Sequence, residues 1–93
     1  MEQLLILLEQ LYNEQDNCYL YEGRMYFKEN ELYNSIVDIC NDMLITNDGT
    51  CNWNNMCFLI ANGYRVFPGE KDSFGWLTGC IRKNDDRRIV CFG

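Results

Sequence analysis

Histidine is absent from all 93 residues, proline occurs once, and no run of 18 or more apolar residues is present. Each absence excludes something. Without a long apolar run there is no helix to span a membrane. Without histidine, zinc would have to be held by cysteines and carboxylates. The six cysteines (Cys18, Cys40, Cys51, Cys57, Cys80 and Cys91) include no C-x-x-C pair to fix tetrahedral geometry. A cysteine nucleophile likewise has no imidazole to form its thiolate. Gly63, Gly69 and Gly75 lie six apart and lead into an expected strand, whereas a phosphate loop leads into a helix N-terminus. Fourteen acids allow many carboxylate pairs and the sequence selects none. These gaps argue against an enzyme and mark no residue for a cofactor or a metal.

What is present suits one domain over residues 1–93, with about half of the residues apolar and thirteen aromatics to fill a core. The opening MEQLLILLEQL has Glu2 where a signal peptide carries basic residues, and Glu9 closes its apolar run. It reads as the start of a helix in a cytoplasmic protein. In that reducing compartment the cysteines are expected as buried free thiols.

Charge is unevenly spread. Residues 1–50 carry ten acids and two bases, a net of −8, while residues 51–93 carry four acids and six bases, a net of +2. The acidic half reads either as a solvated helix face, the commoner case, or as a surface for a basic partner. Arg82, Lys83, Arg87 and Arg88 could form a basic finger. The overall −6 and the neighbouring Asp85 and Asp86 favour a solvated turn over direct nucleic-acid binding.

Periodicity predicts a helix over 2–15, with Leu4, Leu5, Leu8, Leu11 and Tyr12 on one stripe. CYLYEGRMYF reads as a hairpin turning at Glu22-Gly23. A second helix over 29–44 starts at an Asn30 cap. A third, from Trp53 to about Asn62, follows an Asn52 cap, ends at Gly63 and is expected to be buried all round. Tyr64–Phe67 reads as a short strand that Pro68-Gly69 turns back. Within FPGEKDSFGW, Asp72-Ser73 would cap backbone donors and Gly75 would admit the chain to the next strand beside Trp76. Structural and recognition roles both remain open for this loop. Strands over 76–81 and 88–92 flank an Asn84-Asp85 turn, and apolar residues on both their faces suggest cover on both sides or a second chain. The sum is an α+β fold: three helices packed on a small antiparallel sheet with a C-terminal hairpin.

The segment NWNNMCFLIANGYRVFPGEKDSFGWLTGCI resembles one carried by small uncharacterised proteins of phages and mobile elements of low-GC Gram-positive bacteria. In size, acidity and tyrosine content the chain is also similar in kind to anti-CRISPR proteins. That resemblance implies an inhibitor acting on a host defence protein, in the cytoplasm of a bacterial host, and it transfers no residue role. From the residues themselves, the expected contacts are Glu14, Asp16, Glu22, Glu29, Glu31 and Asp38, with Tyr19, Tyr21 and Tyr33 alongside. Carboxylates can stand in for phosphates against a partner's basic groove. The expected partner is therefore a nucleic-acid-binding protein rather than nucleic acid or a membrane, bound by a monomer or a homodimer. The alternative is a structural or regulatory module that self-associates through residues 76–92.

Overall fold

The computed structural model describes residues 1–71, 73, 75 and 77–93, with Glu70 described by its backbone only. Helix α1 spans Glu2–Asn13 and buries Leu4, Leu8, Leu11 and Tyr12, the stripe its spacing predicts. It stops two residues early because Glu14 is extended, with its N–H turned back onto the Gln10 and Leu11 carbonyls. One 3-10 turn, Gln15–Asn17, then leads into strands β1 (Cys18–Tyr21) and β2 (Arg24–Phe27). Glu22 (φ 49°) and Gly23 (φ 77°) both have positive φ between them, the two-residue turn whose twist matches a hairpin.

Helix α2 (Glu31–Met43) begins at Asn30, whose Oδ1 accepts the Tyr33 N–H at 3.0 Å. The Asn30 side chain also donates to Asn17, tying the helix start to the hairpin entry. Helix α3 (Trp53–Ala61) is capped by Asn52 in the same way, and Gly63 follows it at φ 92°. Strands β3 (Tyr64–Lys71), β4 (Leu77–Lys83) and β5 (Ile89–Phe92) form an antiparallel sheet in the order β3-β4-β5. One core joins α1, α2, α3, Phe27 and the inner face of this sheet, where Leu77, Ile81, Val90 and Phe92 point.

The class is α+β with a C-terminal hairpin, β4-β5, and its layering differs from three helices laid on one sheet. Helix α1 packs on α2, α2 reaches β5, α3 lies against β3, and the β1-β2 hairpin forms a separate two-stranded sheet. Two further expectations are corrected. Helix α3 buries only Met56 and Leu59, and Trp53 is 56% exposed. It is apolar on more sides than it has neighbours to cover. Pro68 and Gly69 do not reverse the chain: β3 continues through them to Lys71, with a register shift between Pro68 and Lys71. An edge strand tolerates proline because no neighbour needs the missing N–H. Within this chain the β4-β5 strands are covered on one face, and Thr78, Ile89 and Cys91 are exposed on the other, which leaves a second chain as the expected way to cover it. The expected roles of Asp72 and Trp76 lie outside the described residues.

Candidate functional site

The six candidate acids fall into three places. Glu31 and Asp38 line an open groove of about 580 Å³ between α1 and α2, whose floor includes Leu7, Leu32 and Ile39. Their seven-residue spacing puts both on the same face of α2. Glu29 is exposed just before that helix. Glu14 and Asp16 follow α1, where Glu14 accepts hydrogen bonds from the Gln10 and Asn17 side chains. Glu22 sits in the hairpin turn. Among the described residues the only ion pair joins Arg88 and Asp86, so none of these six is neutralised by a basic neighbour.

The three candidate tyrosines divide differently. Tyr19 and Tyr21 alternate onto one outer face of the hairpin, where Tyr19 stacks on Tyr26 at 5.6 Å and Tyr21 meets the same ring edge-on at 6.5 Å. With Tyr21 59% and Leu20 68% exposed, the hairpin is an apolar projection on the surface. The register places Arg24 directly opposite Tyr21, so these tyrosines have an arginine beside them as well as Glu22. Tyr33 turns inward. Its ring lies 6.2 Å from Phe27, its hydroxyl accepts the Cys91 N–H at 3.2 Å, and burial raises its pKa. It ties α2 to the β5 edge.

The expected basic finger separates into two parts. Arg88, 16% exposed, turns inward. Its guanidinium donates to both Asp86 carboxylate oxygens and to the Tyr12 carbonyl at 2.8 Å, and it lies 5.2 Å from the Tyr12 ring and 5.1 Å from the Phe27 ring. The hydrogen bond from Arg88 holds the Asp86 carboxyl below its usual pKa. Asp86 is therefore committed to Arg88 and does not neutralise the finger. Arg82 and Arg87 remain, and Arg24 joins them from the hairpin. Together with Tyr26, Met25 and Ile89 they line a second groove of about 570 Å³. Sequence reading singled out Arg82 and Arg87 but not Arg24, which only the approach of β2 to β5 brings in.

All six cysteines are unbonded, and burial differs among them: Cys40 is buried, whereas Cys57 and Cys91 are exposed. Burial pushes the Cys40 thiol up to about 12. Burial and the neighbouring Cys80 thiol raise Cys91 to about 11. Both shifts oppose thiolate formation. Among the described residues, no group of three or more cysteine or carboxylate side chains is placed to hold a metal ion. The chain matches no family model, no curated protein and no solved structure.

Proposed function

We propose that this chain is a small, non-enzymatic binding protein that docks its acidic α2 face on a basic, normally nucleic-acid-occupied groove of another protein. The inhibitor role is that of a phage or mobile-element product, of the anti-CRISPR kind, blocking a host defence protein. One observation carries the reading: Glu31 and Asp38 stand unpaired at a groove whose floor holds Leu7, Leu32 and Ile39. Carboxylates at the rim attract arginine and lysine, while an apolar floor supplies the desolvated contact that charge alone does not. The exposed Tyr19 and Tyr21 add rigid area suited to an interface.

The test is a charge reversal, Glu29→Lys with Glu31→Lys and Asp38→Lys, on a protein shown by circular dichroism to remain folded. Partner affinity at low salt should fall by about a hundredfold or more, since each close pair contributes on the order of 1.5 kcal/mol or above. Unchanged affinity would remove the mimicry reading.

Self-association is a second reading, favoured by the uncovered outer face of the β3-β4-β5 sheet with its exposed Phe67 and Ile89. Sedimentation at micromolar concentration decides it, because a clean monomer leaves that face without a second copy.

A further inference from the structure

We infer that the groove between the hairpin and the β4-β5 turn is a binding site for a nucleoside di- or triphosphate. Arg24 comes from β2, Arg82 from β4 and Arg87 from the turn after it, so three separate stretches bring three arginine side chains to the lining of one groove, with the Arg82 guanidinium also 6.0 Å from the Phe67 ring. No carboxylate lines it, and none pairs with these arginines among the described residues. Like charges lining one groove repel one another, and an anion bound between them relieves that repulsion.

The number of guanidinium groups selects the anion. One carboxylate occupies one guanidinium fork, whereas a di- or triphosphate offers enough oxygens and charge for three. The rest of the lining selects what the phosphates carry. Tyr26, Met25 and Ile89 give an aromatic and apolar wall against which a planar base can stack. The volume of about 570 Å³ lies within the range of small-ligand pockets. A net charge of −6 opposes a long polyanion, which favours a single nucleotide over a nucleic-acid strand.

This site shares no residue with the acidic face, so either assignment can fail without the other. Calorimetric titration with ADP at about 50 mM salt, where charge attraction is little screened, tests it. Saturable binding is expected, weakened about tenfold or more by Arg24→Gln with Arg87→Gln, both exposed residues whose loss leaves the fold intact. Arg65→Gln, outside the groove, should leave it unchanged. Inorganic pyrophosphate should bind more weakly than ADP. Absence of ADP binding, or equal affinity in the double variant, would overturn the site. Pyrophosphate binding as tightly as ADP, or a thymidine oligonucleotide binding more tightly, would overturn the nucleotide assignment.

An independent observation carries a second proposal: the geometry points to Cys80 and Cys91 as a site of intramolecular disulfide formation by a low-molecular-weight disulfide. The two residues are directly opposed on β4 and β5, with Sγ atoms 3.4 Å apart. The Cys91 N–H bonds to the Tyr33 hydroxyl and not to β4. The pair is therefore of the non-hydrogen-bonded type, in which opposed side chains lie closest. Closure to about 2.05 Å needs only a small side-chain movement. One thiolate attacks oxidised glutathione and releases one glutathione thiolate. The second cysteine, losing its proton, attacks the mixed disulfide and releases the other. The protein thus loses two protons and two electrons, and the oxidant is reduced to two thiols.

Incubation with oxidised glutathione, then alkylation under denaturing conditions and intact-mass measurement, reads the outcome. The expected product has lost two hydrogens and carries four alkylated cysteines in place of six. It should be absent in Cys80→Ser and in Cys91→Ser and retained in Cys57→Ser. Six alkylated cysteines, stable glutathione adducts without cross-linking, or a cross-link that survives Cys91→Ser would overturn the assignment.

Discussion

Removing Arg88 should destabilise this protein more than removing any other basic side chain. The guanidinium hydrogen-bonds the Tyr12 carbonyl at 2.8 Å, grips both oxygens of Asp86 and lies over the Tyr12 and Phe27 rings. A charged donor on a carbonyl is worth about 1.5 kcal/mol. Two ring contacts add about 1 to 1.5 kcal/mol, and the partly exposed ion pair about 1 kcal/mol. Allowing for water reaching the freed groups, Arg88→Ala should cost about 3 kcal/mol, or a fall of roughly 12–24 °C in the thermal midpoint. Urea unfolding followed by tryptophan fluorescence measures it. Arg87→Ala, one residue earlier and exposed, is the control and should stay within about 0.5 kcal/mol of the parent. Arg88→Lys keeps the charge but not the planar fork and should recover less than half of the loss. If Arg88→Ala fell within about 1 kcal/mol of Arg87→Ala, the argument that Arg88 fastens α1 to the sheet turn would be wrong.

Tyr64 is 2% exposed, and its hydroxyl has no hydrogen-bond partner among the described residues. Tyr64→Phe should therefore be neutral or stabilising by up to about 1 kcal/mol in thermal unfolding. Burial also raises the Tyr64 pKa to about 12, above its ordinary value of 10.0. Its contribution is complete below pH 10 and is lost as pH rises towards 12, so Tyr64→Phe should flatten the alkaline limb of a stability–pH curve. The Asp86 shift has the opposite sign. Its depressed pKa gives stability that is present above the ordinary carboxylate range and lost as pH falls through it, and Asp86→Asn should flatten the acid limb. Asn30→Ala removes both the α2 cap and the link to Asn17, and should cost about 1–2 kcal/mol in urea unfolding.

Local chemistry was the readable part of this fold. Asn30 and Asn52 cap their helices as their positions suggest, and Glu22-Gly23 turns the hairpin, because each depends on residues within a few positions. Errors arose where a distant partner decides. Pro68-Gly69 is a turn signal in isolation, yet pairing with β4 carries the strand through it. The apolar sequence of α3 suggested burial, which requires neighbours on every side, and β3 supplies one. Among the candidate contacts, the exposure of Glu31 and Asp38 follows from helical spacing, but the inward turn of Tyr33 depends on Cys91, 58 residues away. Arg88 is chemically indistinguishable in sequence from Arg87. Only its approach to Tyr12, 76 residues earlier, makes one a fastening and leaves the other at the surface.

The most direct test of the binding role uses a bacterial lysate fraction retained on heparin, which is enriched in proteins with nucleic-acid-binding surfaces. Parent protein and the Glu29→Lys, Glu31→Lys, Asp38→Lys variant are each immobilised and exposed to that fraction. The expected result is one discrete protein held by the parent, released by added DNA or RNA and lost in the variant. A protein held equally by both, or one that added nucleic acid does not displace, would contradict the account.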